Sequence, residues 1–350
     1  MSTGRSVYGG NKSFWLLSIF LLLMVMLLAL CSGRYHLPID KVLSILASSL
    51  FPQQWLTSLV PYSPIEQRVV EYIRLPRMLI ALLTGAGLSV AGAALQGIFR
   101  NPLVGPQMVG VSSGAALGGA LGIVLFSSLL VVSGLAFIGG IGAILLVYFL
   151  SRSGGSTSIL MLILAGVVIS AFFAALISLV TYFADPNNTL PAIVFWLMGS
   201  FATVTYTKLA LATLPVFCGL LLLYALRFRI NVLSLGDENA AALGVPVEKV
   251  RWLVLICVAL ITSATVAVAG TIGWVGLVVP HIARMLVGPD HRQLIPASAL
   301  VGAIYMVTID TLARTASSAE IPLGIITALI GAPVFIWLLR QTGQKGWSHD

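Results

Sequence analysis

Three stretches of this chain, from Arg100 to Arg152, from Arg152 to Asp185 and from Arg251 to Arg284, carry no charged side chain between their end residues. A surface in water uses about a quarter charged residues, so such stretches have no place on an ordinary soluble fold. Over all 350 residues, 9% are charged and 59% hydrophobic, and the mean hydropathy is +1.04. The expected fold class is all-α, a polytopic membrane protein, because helices of about 20 apolar residues satisfy their own backbone polar groups in lipid. No room is left for a sizeable soluble domain, and residues 1–350 read as a single transmembrane domain.

Ten apolar runs are expected to cross the bilayer: 14–31, 76–98, 109–126, 130–150, 159–183, 206–228, 252–269, 272–287, 294–312 and 322–339. With the N-terminus in the cytoplasm, twelve of the 19 basic residues fall on the cytoplasmic side and seven outside. That bias follows the positive-inside rule, and an even number of crossings returns the C-terminus to the cytoplasm. Arg74, Arg77 and Arg314 fall at the outer face, where topology supplies no reason for positive charge. The run 14–31 follows a short basic tail with Arg5 and Lys12, as a secretory signal would. Leu30 is too large for the residue before a lipoprotein cleavage, so an uncleaved first span is expected.

Two connectors are long. The outer one, 33–72, holds Pro38, Pro52, Pro61 and Pro64 and an amphipathic stretch over 39–46, expected to lie on the membrane surface. The cytoplasmic one, 229–251, reads RINVLSLGDENAAALGVPVEKVR. There Asp237 is expected to cap a short helix over 238–243, Gly244 to end it and Pro246 to start the next.

Gly110, Gly114 and Gly118 recur every fourth residue, as do Gly85 and Ser89, and read as small faces for close helix packing. Pro280, Pro296 and Pro333 read as kinks. Asp310 is the one acid clearly inside a span, four residues before Arg314, and an intrahelical pair is expected. Glu320, just before Pro322, would favour the N-terminus of the last helix electrostatically. No relay of buried carboxylates is visible, which weighs against an ion-coupled secondary transporter, the alternative reading. His36, His281, His291 and His349 lack ligand spacing, and Cys31, Cys218 and Cys257 lack paired spacing, so neither a metal site nor a catalytic site is expected. The absence of clustered His, Asp or Glu likewise disfavours a membrane-embedded enzyme. The net charge of +8 forms no basic stripe, so nucleic acid is not an expected partner. There is no GxxxxGK[ST] phosphate loop, and any ATP-driven step needs another subunit.

Five blocks carry a resemblance: RLPR at 74–77 with the following GAGLSVAGAALQGIFRNPLVGPQMVGVSSGAALG, LGDENAAALGV, GTIGWVGLVVPHIAR, and AEIPLGIITALIGAPVFIWLL. Together, over 74–339, they closely resemble the iron-siderophore, haem and cobalamin permeases of bacterial ABC importers, in the same order and at similar spacing. The resemblance implies a ten-helix subunit of the inner membrane, paired with a second permease subunit, expected to be its own copy, around a central pathway. It implies two cytoplasmic ATP-binding subunits, which carry the ATP and magnesium, no cofactor on this chain, and a periplasmic or lipid-anchored substrate-binding protein.

By the same resemblance, Arg74, Arg77 and Arg314 would meet carboxylates of the binding protein, a reading preferred over snorkelling at the lipid interface. Gly236, Asp237, Glu238, Ala240, Ala241, Ala242, Leu243, Gly244 and Val245 would form the segment seated in the ATPase, although the I-x-L-P tail of the general importer motif is missing. The helix at 160–183, with Ala165, Gly166, Ser170, Ala174 and Ser178, would line the pathway together with the tenth helix. Ferric siderophore is the first expectation for the cargo; haem, cobalamin and oxyanions are the others.

Overall fold

The computed structural model describes residues 12–51, 60–126, 128–153, 156–317 and 319–346. Arg5, Pro52 and His349 lie outside these residues. The described chain is helical but for a two-residue antiparallel pairing, β1 (Arg152–Ser153) with β2 (Ser156–Thr157). All ten expected runs are helices: α1 (Lys12–Cys31), α4 (Leu75–Phe99), α5 (Val111–Leu125), α6 (Leu129–Ser151), α7 (Ile159–Phe183), α9 (Tyr206–Leu233), α11 (Val247–Ala269), α12 (Val275–Val287), α13 (His291–Thr315) and α14 (Leu323–Gly346). Among the described residues, seven helices are long and apolar enough to cross a membrane, while α5, α12 and the apolar part of α14 are shorter. Polar side chains set several starts: Ser158 accepts from the Met161 amide at α7, Thr205 from Lys208 at α9 and Asp290 from Arg292 at α13. As expected, Pro280, Pro296 and Pro333 lie inside helices.

Among the described residues four shorter α-helices join these: α2 (Ile39–Leu50), α3 (Pro64–Arg68), α8 (Thr189–Leu197) and α10 (Asp237–Ala242). The amphipathic stretch expected at 39–46 is α2, and it turns Val42 and Ile45 into the protein core beside Ala29, Leu30 and Val70. Its Lys41 ammonium lies 2.7 Å from Glu66, and that carboxylate raises the lysine above its ordinary pKa.

The second span starts earlier than the sequence suggests. Helix runs without interruption from Pro64 to Phe99, 36 residues, so the connector expected over 33–72 ends before Pro64 and the RLPR block lies within a helix. Pro76 lacks an amide hydrogen and its ring crowds the preceding turn, which favours a break. Here a π-helical turn over Val69–Arg74 absorbs the strain, with the Leu75 amide bonding to the Val70 carbonyl five residues back.

α4 and α11 form the centre: in an 18-residue apolar window of each, 83% and 78% of the residues are buried, against 22% for α1 and α7 and 28% for α9. The small residues singled out in the sequence are where helices touch. A methyl group on Gly85 would sit 2.1 Å from the Gly302 carbonyl oxygen of α13, and one on Gly92 1.8 Å from that of Gly276 in α12. Gly114 and Gly118 of α5 face the backbone of α6 in the same way. Backbones this close exclude any side chain, as the small-residue rule for membrane helices requires.

Candidate functional site

At one end of α4, Arg74, Arg77 and Arg314 come together, 233 residues or more separating the first two from Arg314's helix partner Asp310. With Arg34, Tyr35 and Glu320 they line an open cavity of 350 Å³. The three guanidiniums are themselves buried, at 5%, 6% and 8% exposure. Arg77 grips Asp310 through Nε at 2.8 and 3.1 Å and Glu320 through Nη1 at 3.0 and 2.9 Å. The expected Asp310–Arg314 pair is present but looser, at 3.7 Å. Glu320, from the connector before α14, thus pairs with Arg77.

Arg74 and Arg314 do something the sequence did not suggest. α1 ends without a basic residue in its last turn, and its last carbonyls need donors. Arg74 donates to Leu30 and Cys31 at 2.6 and 3.0 Å and to the Tyr35 carbonyl beyond. Arg314 donates to Ser32 at 2.6 Å and to Ala29. Two guanidiniums, from the π-turn before α4 and from α13, thus close the end of α1, and their positive charge suits the negative end of the helix dipole.

At the other end of α4, about 35 Å away by helix rise, α10 stands beside α11. Gly236 (φ +110°) precedes α10, and Gly244 (φ +77°) follows its end, as expected. Asp237 does not cap the helix. Its carboxylate instead takes a 2.6 Å bond from Arg251, a buried guanidinium that also donates to the Thr157 carbonyl at 2.8 Å. Glu248 bonds Thr157 and accepts from the Trp252 indole at 2.8 Å. α10 is thereby tied to β2 and to α11. Ala240 is packed inside, whereas Glu238, Ala241, Ala242, Leu243 and Gly244 are exposed and Val245 is half-buried. The exposed residues 241–244 are uncharged, and such a knob is suited to seating in another protein's cleft.

The expected pathway wall divides. Ala165 and Gly166 are buried in the protomer, where a methyl on Gly166 would meet the Met108 carbonyl at 2.3 Å, so these two do not face an open surface. Ser170 is half-buried, and its hydroxyl lies inside without a hydrogen-bond partner. Ala174 and Ser178 are exposed. Ala174 borders a 340 Å³ cavity with Gln107, Ser112, Ser113 and Thr271. Its wall mixes these polar groups with Ala116, Ile177 and Leu197 and carries no charge.

The FecCD transport family model matches residues 21–341. This chain belongs to the FecCD transport family. Among its relatives, the molybdate import system permease protein MolB of Haemophilus influenzae is 44% identical over 93% of this chain and 95% of its own length. The hemin transport system permease protein HmuU of Yersinia pestis is 44% identical over 78% of this chain and 84% of its own. A solved structure assigned to the metal-chelate type of ABC transporter, in an inward-facing conformation, superposes with a TM-score of 0.83 at 43% identity, covering 94% of this chain and 99% of that one. Like other FecCD members it is a multi-pass membrane protein and a permease subunit of an ABC importer, and the relatives are permeases, not enzymes.

Within this FecCD chain, sequence reasoning missed Arg34 at the arginine cavity, Arg251 as the tie behind α10, and Gln107, Ser112, Ser113 and Thr271 at the wall beside Ala174. Polar residues beside glycines, as in GPQMVGVSSG, were the available signal for the last group. The pairing of Arg251 with Asp237, 14 residues apart across a turn, had none.

Proposed function

We propose that this chain crosses the inner membrane ten times with both termini in the cytoplasm, and pairs with a second copy around a central pathway. A periplasmic binding protein delivers a metal-bearing cargo to the Arg74, Arg77 and Arg314 end, and a separate ATPase pair engages α10 at the other. ATP binding and hydrolysis on those subunits drive alternation between outward and inward access, with no bond chemistry on this chain. The observation that carries this reading is the two-ended construction: a cavity rimmed by guanidiniums at one end of α4, and an exposed knob held by buried Arg251 at the other. Carboxylates on a partner would be steered by the first.

Ferric siderophore is the first cargo proposed, because an uncharged, weakly polar wall suits a large chelate that must pass without binding tightly. Molybdate is the second reading, favoured by the likeness to MolB over nearly the whole chain. The test is uptake into proteoliposomes holding the permease with its ATPase and binding protein. Uptake is expected to require all three components and ATP; uptake driven by an ion gradient alone refutes the proposal. Ligand affinity of the binding protein then decides between the two cargoes.

A further inference from the structure

α6 and α9 both pack on α11 and leave a groove between them, floored by α11. Towards the end that carries α10, a 560 Å³ cavity opens between α6 and α11, lined by Leu145, Tyr148, Lys249, Trp252, Leu253 and Ile256. Further along, a 700 Å³ cavity continues between α6, α9 and α11, with walls that include Phe137, Leu211, Leu214 and Leu260. On α6, a methyl on Gly134 would meet no atom within 4 Å, so the second cavity is open to the outside there. The two cavities lie at Leu130–Phe137 and Leu145–Tyr148 of α6, with Gly140 packed on Ser263 of α11 between them.

Its mouth has a different chemistry. Tyr148 and Trp252 meet edge to face with ring centroids 4.4 Å apart, the aromatic pairing found at the level of lipid headgroups. Two cations flank them. Arg152 donates to the Tyr148 hydroxyl at 2.8 Å, and Lys249 lines the cavity with its side chain exposed. One carboxylate, Glu248, lines the same cavity and is engaged by Trp252, Thr157 and, at 3.7 Å, Arg251. The mouth therefore presents net positive charge above an apolar slot.

We propose that this groove is a binding site for an anionic phospholipid, with an acyl chain laid along α11 between Leu145 and Ile256 and the phosphate held by Lys249 and Arg152. Basic pockets between membrane helices recognise acidic headgroups in this manner. The proposal is independent of cargo and of the other subunits. The site adjoins the Glu248–Arg251–Asp237 chain, so the bound headgroup would brace the base of α10.

The full-length permease, reconstituted in phosphatidylcholine vesicles, provides the test. Brominated phosphatidylglycerol or brominated phosphatidylcholine is titrated in, and the share of tryptophan fluorescence lost in Trp252→Phe is taken as the Trp252 signal. Half-quenching by the anionic lipid is expected at about five-fold lower mole fraction, the worth of roughly one cation near a membrane surface. Lys249→Gln combined with Arg152→Gln should erase that preference. Should the double variant fail to fold, the native protein at about 1 M salt, where charges are screened within about 3 Å, should lose the preference instead. Equal quenching by the two lipids overturns the proposal in favour of bulk lipid contact. No quenching of Trp252 by either lipid overturns it too, and points to a second copy covering the groove.

Discussion

Asp310 is the residue on which the arginine end depends most. It is 3% exposed and faces Arg77 and Arg314, with Arg74 nearby. Replacing it by Asn leaves Arg74, Arg77 and Arg314 with Glu320 as their remaining carboxylate. Breaking a buried ion pair by removing one partner costs about 3–5 kcal/mol, because the survivor stays buried and charged. Glu320 still holds Arg77 through Nη1, but its side chain is 31% exposed and water screens that contact, so the expected loss stays near the lower bound, about 3 kcal/mol. Glu320→Gln should cost less than about 1 kcal/mol for the same reason. Unfolding of the purified protein in mixed micelles by titrated dodecyl sulfate, followed by circular dichroism, measures both. A third variant separates charge from shape: Arg77→Met with Asp310→Leu removes both ions and should return to within about 1 kcal/mol of Arg77→Met alone or better. If Asp310→Asn costs less than about 1 kcal/mol, the cluster is not held by this pair and the account of the arginine end is wrong.

Gly92→Ala forces a methyl against the Gly276 carbonyl and should cost about 1–3 kcal/mol by overpacking, whereas Gly134→Ala, which meets nothing, should be silent in the same unfolding assay. Arg251→Met unties α10 from β2; in proteoliposomes with the ATPase, hydrolysis should persist while cargo uptake per ATP falls at least several-fold. Asp290 is held below the usual carboxylate range by its bonds to Arg292, and it starts α13. A depressed folded value means that its stabilisation is fully present above the unfolded carboxylate value of about 4 and is lost as pH falls through the lower folded value. Asp290→Ala should therefore cost about 1 kcal/mol at pH 7 and progressively less below about pH 4.

What the sequence made legible is what depends on composition and spacing. Uncharged runs mark helices because lipid allows no other use of them, and glycines four residues apart mark contacts because only a missing side chain lets backbones approach. The partition of ions was illegible for the converse reason. Asp310 and Arg314 are four residues apart and invite a local pair, yet Arg77, 233 residues from Asp310, arrives with Nε at 2.8 Å and takes the shorter bonds. Asp237 has the right type and place for an N-cap, but Arg251 offers a charged partner and draws the carboxylate away. Pro76 looked like a helix start because a proline usually is one at such a boundary; the π-turn that tolerates it in mid-helix is a backbone adjustment with no side-chain signature. Ala165 and Gly166 share small size with Ala174 and Ser178, and size alone does not say which side of α7 faces in.

The distribution of these contacts constrains how such a permease changes access. α4 carries Arg77 at one end, crosses α13 and α12 backbone to backbone at Gly85 and Gly92, and ends at Arg100 beside Gly236, the residue before α10. Contacts without intervening side chains cannot slide by fractions of a turn, because the next residue along each helix bears a side chain that would collide. We expect α4, α12 and α13 to move as one body in the proposed cycle. Motion is left to the lightly buried faces, above all α7, where Ala174 and Ser178 look outward. Cysteine labelling of the assembled transporter separates the two classes of position. Ser178→Cys should change its reaction rate with a maleimide between the nucleotide-free and nucleotide-bound complexes, while Ser89→Cys, at a site with 0% exposure between α4 and α13, should stay unlabelled in both. Labelling of Ser89→Cys in either state would mean that α4 and α13 part during the cycle, and that the centre of the protein is a hinge rather than a rod.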